Sequence, residues 1–100
     1  MTLHGIKIPR ERLAAFCCAN GIRRLALYGS ILRDDFRPES DIDVLVEFQP
    51  GVRVGLVFIR MQDELSAILG HKVDLNTPGS LSKYFRAKVL EEAQALYVAA

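Results

Sequence analysis

One hundred residues, half of them apolar and a quarter charged, are expected to form one domain over residues 1–100, with a single core that needs no staples. A formal net charge of +1 argues against a dedicated nucleic-acid binder, and the short pair Arg23-Arg24 reads as a solvated strand end. No apolar run reaches the ~20 residues that span a bilayer, and no signal-peptide core opens the chain, so a cytoplasmic protein is expected. Pro9 to Asn20 reads as a helix, with Pro9 in its first turn, Leu13, Phe16 and Cys17 at helical spacing, and Asn20-Gly21 as the stop. Cys17 and Cys18 are its small apolar residues. Vicinal helical positions point about 100° apart, which rules out an ordinary disulfide between them.

Arg24 to Tyr28 is a short apolar strand that Gly29 breaks, and Ser30 to Arg33 looks like the first turn of a short helix. After the loop Arg37-Pro38-Glu39-Ser40 comes the strongest strand of the chain, Asp41 to Phe48. Ile42, Val44, Val46 and Phe48 share one face of it, and Asp41, Asp43, Leu45 and Glu47 share the other. Gln49-Pro50-Gly51 is a turn. Val54 to Leu69 reads as a long helix with the apolar stripe Val54, Val57, Phe58, Met61, Leu65 and Ile68, ended by Gly70. Lys72 to Leu75 is a short strand with Asp74 opposite Val73 and Leu75. A last helix runs from Ser82 or Lys83 to Glu92, with Phe85, Val89 and Ala93 as its inner face. The tail Ala95 to Val98 is open between helix and strand. The order implies an α/β (α+β) fold, a small mixed sheet packed with helices. The link between the first two strands is too short for a helical crossover, so they are expected to be antiparallel neighbours.

The chemistry concentrates in a few residues. Asp41 and Asp43 stand on one strand face, where two carboxylates repel unless a cation lies between them. Mg²⁺ takes carboxylate and phosphate oxygens together, and a pair of such ions can clamp the attacking and leaving oxygens of an in-line displacement. If the third strand joins the same sheet, Asp74 adds a third carboxylate to that face, placed to bind a metal and help deprotonate a nucleophilic hydroxyl. Gly29 permits a positive φ or close backbone approach, Ser30 can cap the short helix, and Arg33 lies within reach of the same phosphates.

Gly29-Ser30, then ten residues, then Asp41-Ile42-Asp43, resembles the signature of the polymerase-beta-like nucleotidyltransferase superfamily. The wider string Tyr28-Gly29-Ser30-Ile31-Leu32-Arg33, then Arg37 to Val46, is similar to the minimal nucleotidyltransferase (MNT) group, and Lys72-Val73-Asp74-Leu75 falls where that group has its third carboxylate. The segment departs from the pattern at Leu32-Arg33-Asp34, where the group commonly has Ala and then Arg-Gly. There Asp34 is expected to tolerate the left-handed backbone of the missing glycine.

The resemblance implies a polymerase-beta-like fold, catalytic and metal-binding roles for Asp41, Asp43 and Asp74, nucleotide binding by Gly29, Ser30 and Arg33, two Mg²⁺ ions, and ATP as substrate. It further implies an antitoxin that transfers AMP to a hydroxyl, a tyrosine by the family's habit, of a cognate HEPN toxin in a hetero-oligomer. The alternatives are a non-catalytic antitoxin that works by occlusion and a free-standing transferase acting on a small molecule. Lys83, Arg86 and Lys88 read as a solvated face, His4 and His71 as isolated surface residues, and Tyr28 as a packing residue.

Overall fold

The computed structural model describes residues 2–100. A short hairpin of β1 (Thr2–Leu3) and β2 (Ile6–Lys7) precedes helix α1 (Arg10–Ala19). Strand β3 (Ile22–Tyr28) runs into a 3-10 turn at Gly29–Leu32, and a loop leads to β4 (Ile42–Phe48). Helix α2 (Val57–Leu69), β5 (Val73–Asn76), a second 3-10 turn (Pro78–Ser80), α3 (Lys83–Glu92) and β6 (Gln94–Val98) follow. The main sheet has the order β5-β4-β3-β6. β3 is antiparallel to β4 and to β6, and β4 and β5 are parallel. The expected mixed sheet with an antiparallel first pair is therefore the observed one, and the tail is a strand. The hairpin at residues 2–7 was not foreseen, because two-residue strands carry no periodicity to read.

Alternation along the strands sorts the side chains. Leu25 and Leu27 of β3, Ile42, Val44 and Val46 of β4, and Val73 and Leu75 of β5 form one core with Leu13, Phe16 and Cys17 of α1 and Met61, Leu65 and Leu69 of α2. Burying such side chains contributes roughly 1.5–3 kcal/mol each. Cys17 is inside this core as expected, and burial pushes its thiol up to about 12, leaving it an inert apolar group. Cys18 is exposed, with its sulfur 3.4 Å from the Tyr97 hydroxyl of β6.

Several boundaries and faces differ from expectation. Pro9 is not in the first turn of α1 but caps it, its carbonyl accepting from Leu13 N at 3.0 Å. α2 begins at Val57, so Val54 lies outside it; Val57 is exposed, and the stripe turns inward at Met61, Leu65 and Leu69. Gly70 ends the helix in the left-handed region (φ 64°), where a glycine carries no Cβ penalty. Phe85 is not on an inner face: α3 buries none of its residues, and Tyr84 and Phe85 stand 83% and 62% exposed. Arg86 is not a free surface cation either. It holds the start of α3 by donating from Nε to Pro78 O at 2.7 Å and from Nη2 to Leu81 O at 3.0 Å.

β5 is one edge of the sheet, and α2 satisfies its outward amides. Val73 N donates to Ser66 Oγ at 3.1 Å and Leu75 N to Gln62 Oε1 at 2.9 Å. This covering blunts an edge that would otherwise invite pairing, and it fixes β5, and so Asp74, against β4.

Candidate active site

The sheet face turned away from α1 and α2 carries the polar residues. Tyr28 of β3 pairs with Asp43 of β4, and Asp43 pairs with Asp74 of β5, so the three lie in one row across three strands. Leu45 and Ala26, next along the same face, are fully buried. Arg24 and Glu47 follow as a register pair joined at 3.2 Å, and Arg23, at the register irregularity between Ile22 and Arg24, also reaches Glu47 at 2.7 Å. Arg23-Arg24 is thus an ion-paired strand end and not simply a solvated one.

Asp43 is the electrostatic centre of the row. Its carboxyl is pushed up to about 6, first by burial, then by the charges of Asp74 and Asp41, with Arg33 pulling the other way. Asp43 thus feels both other carboxylates, and the register places Asp74 beside it as the face assignment from sequence requires. Asp41 sits just ahead of β4, with Lys72 Nζ 3.9 Å from its Oδ2.

Gly29 lies directly under this centre. Its φ is 77°, and a Cβ added there would overlap the Asp43 carboxylate. Two independent constraints therefore require glycine: the left-handed backbone and the seat of the Asp43 oxygens. Ser30 lies inside the 3-10 turn, where its side chain does not cap as expected; its carbonyl accepts from Arg33 N at 2.9 Å. Arg33 is exposed and pairs with Asp35 at 3.4 Å. Asp34 does not adopt the left-handed backbone, since among the described non-glycine residues only His4 has a positive φ.

One site-face residue, Asn76, has no reading from the sequence, and a second, Tyr28, does more than the packing expected of it. Asn76 donates from Nδ2 to the Tyr28 hydroxyl at 3.1 Å, and its Oδ1 accepts from Ser80 Oγ at 3.2 Å. The period of two that places Asp74 also places Asn76, so that signal was available. Tyr28 is therefore more than packing: its hydroxyl is half-buried beside Asp43, and burial with that charge raises its pKa. A cavity of about 820 Å³ opens beside the row, lined by Tyr28, Gly29, Leu32 and Arg33 on one wall and by Phe85, Lys88 and Val89 of α3 on the other.

The donor set suits a divalent cation. Hard carboxylate oxygens stand close together here, and burial with the charges of Asp74 and Asp41 raises the Asp43 pKa. Among the described residues no group of three acidic, His or Cys side chains converges closely enough to hold a metal ion, so the carboxylates are an open set. An open set is what Mg²⁺ bound with a nucleotide needs, because phosphates and waters supply its remaining oxygens.

The chain matches the nucleotidyltransferase domain family over residues 10–96, from the first residue of α1 to the middle of β6. It belongs to that family. The nucleotidyltransferase match leaves only the β1–β2 hairpin and the residues at either end outside. Protein adenylyltransferase MntA of Thermococcus cleftensis is 36% identical over 72% of this chain and 72% of its own length. A solved minimal nucleotidyltransferase is 34% identical and superposes with a TM-score of 0.71 over 85% of this chain and 86% of that one. A chain from the solved complex of tri-AMPylated Shewanella oneidensis HEPN toxin with MNT antitoxin shares the fold, at 20% identity and a TM-score of 0.63, over 90% of this chain and 70% of that one. This nucleotidyltransferase therefore has the small mixed sheet of its relatives, with the acidic row on the face that its helices α1 and α2 leave free.

Proposed function

We propose that this nucleotidyltransferase is a protein adenylyltransferase of a toxin–antitoxin pair, moving AMP from ATP to a hydroxyl, a tyrosine hydroxyl by preference, of a cognate HEPN toxin. The observation that carries the reading is the row Asp43–Asp74 over Gly29, with Asp41 two residues before Asp43 along the chain and a cavity beside Tyr28 and Gly29. The names of the relatives supply the reaction class and the partner class.

In this reading Asp41, Asp43 and Asp74 would hold two Mg²⁺ ions, which would supply charge neutralisation for the triphosphate. Gly29 lets the phosphates approach the backbone of the turn, Ser30 presents its amide and hydroxyl, and Arg33 reaches the phosphates from the cavity wall. Asp74 orients the acceptor hydroxyl and takes its proton. The acceptor oxygen bonds to the α-phosphorus as the bond to the bridging oxygen breaks, and pyrophosphate leaves. Burial helps the carboxylates by excluding water, at the expense of raising the Asp43 pKa until a cation offsets it.

Labelled ATP with Mg²⁺ should mark the HEPN partner in the presence of wild type and leave it unmarked with Asp41→Ala/Asp43→Ala. Undiminished transfer by the double variant refutes the reading. A second reading, neutralisation by occlusion, has its own support in the exposed apolar surface of Tyr84, Phe85 and Leu90 beside the cavity. Asp43→Ala separates the two. Full neutralisation of the toxin at unchanged affinity favours occlusion, and lost neutralisation with retained binding favours transfer.

A further inference from the structure

Asp41 differs from Asp43 in how it is held. Asp43 lies inside the ladder between β3 and β5, whereas Asp41 precedes β4 and has no ladder partner. Its backbone is instead fastened on both sides by two consecutive residues. Ile42 N donates to Lys72 O at 2.9 Å, and the Ser40 carbonyl accepts from Nε2 of His71. A carbonyl can only accept, so this ring nitrogen carries the proton.

His71 was expected to be an isolated surface residue, and it is not. Its ring packs against Phe36 at a centroid distance of 5.4 Å, and Phe36 packs in turn against His4 at 4.9 Å. The stack joins three separate parts of the chain: the turn of the β1–β2 hairpin, the loop that carries Ser40, and the link from α2 to β5. Within the loop, Arg37 N donates to Ser40 Oγ at 3.1 Å and Ser40 N to Arg37 O at 2.9 Å, so Ser40 cannot move independently of the turn behind it. The purely structural alternative is a ring pair that stabilises a loop. What sets His71 apart is the place of its ring's hydrogen bond, the carbonyl of the peptide that leads into Asp41.

We infer that His71 is a positioning residue for Asp41, fixing through the Ser40 carbonyl, with Phe36 and His4 behind it, the backbone that presents this carboxylate to a divalent cation. The inference rests on the proposed reading of Asp41 as a ligand. It predicts that the contact can be cut while the fold stays intact. His71→Phe keeps a ring against Phe36 and removes the donor. His71→Gln loses the ring and returns an amide donor close to the position of Nε2.

The test uses the full chain with two readouts, amide hydrogen exchange and Mn²⁺ binding followed by electron paramagnetic resonance in the presence of AMP-PNP. In His71→Phe the Ser40 and Ile42 amides should exchange about tenfold faster while the β3 amides keep their protection. Mn²⁺ affinity should fall by about 10- to 100-fold, the range expected when a group behind a metal ligand is lost. His71→Gln should recover most of both. Should His71→Phe fail to fold, Phe36→Leu replaces it and should give a smaller loss of the same pattern.

Wild-type exchange at Ser40 and Ile42 overturns the inference, as does acceleration spread evenly over the sheet or a Gln variant no better than Phe. Failure of the site reading looks different, because wild type would then bind no Mn²⁺ with AMP-PNP. Exchange would still decide whether His71 holds the backbone of Asp41: acceleration confined to the loop upholds it and normal protection sinks it.

Discussion

Asp43 is a carboxylate in an environment that opposes its charge. Its value is pushed up from 3.8 to about 6 by burial and by two neighbouring carboxylates, only partly offset by Arg33. Between those pH values the folded chain holds more of this proton than the unfolded chain does. Stability therefore falls as pH rises through the window, and the penalty is complete above about pH 6. Asn has the same shape without the charge. In metal-free buffer at pH 7.5, Asp43→Asn should melt a few degrees above wild type, on the order of 1 kcal/mol once solvent screening of a half-exposed group is allowed for. The gap should close toward pH 4, and Mg²⁺ with nucleotide should stabilise wild type and not the variant. Calorimetry at several pH values checks this, and a gap that ignores pH would show that charge is not its origin.

Helices α2 and α3 illustrate the difference between an apolar pattern and a packed one. Leu65 of α2 is fully buried, and Phe85 of α3 is mostly exposed, although both stand at regular apolar spacing. Leu65→Ala should lower stability by about 2–5 kcal/mol in urea titration. Phe85→Ala should change it by less than about 0.5 kcal/mol, as surface substitutions do. A large loss for Phe85→Ala would mean that α3 packs more closely than its exposure indicates.

The same contrast explains what the sequence could disclose. Ile42, Val44 and Val46 alternate with Asp43, and strict alternation has one physical solution, so the two faces of β4 were legible. So was the place of Asp74, by the same rule. Phe85 was misread because periodicity reports which residues share a face and not whether anything covers it. His71 was misread because its partners, Ser40 and Phe36, lie more than thirty positions away, and a ring contact at that distance leaves no local pattern. Ser30 was misassigned as a cap because a Gly-Ser pair permits several turn geometries that only the chain's return path selects.

At the scale of the molecule, the closing strand β6 completes the sheet on the far side of the acidic row. It pairs with β3, buries Leu96, and extends the ladder through Ala99 N to Arg23 O at 2.8 Å. Without it, β3 would become an exposed apolar edge with unpaired amides. A chain ending at Ala93 should therefore lose its cooperative melt and aggregate, which circular dichroism and size-exclusion chromatography would register. Retention of a sharp melt would show that the sheet stands on three strands.

The pairing of Tyr28 with Asp43, and of Asp43 with Asp74, carries one more implication. Side chains on a strand alternate, so a slip of β4 by a single residue would turn Asp43 into the apolar layer and bring Ile42 and Val44 out into water. No such misaligned chain could assemble the carboxylates or keep its core. The acidic row is thus the sheet's registration mark, and a chain with the correct chemistry has necessarily been threaded correctly.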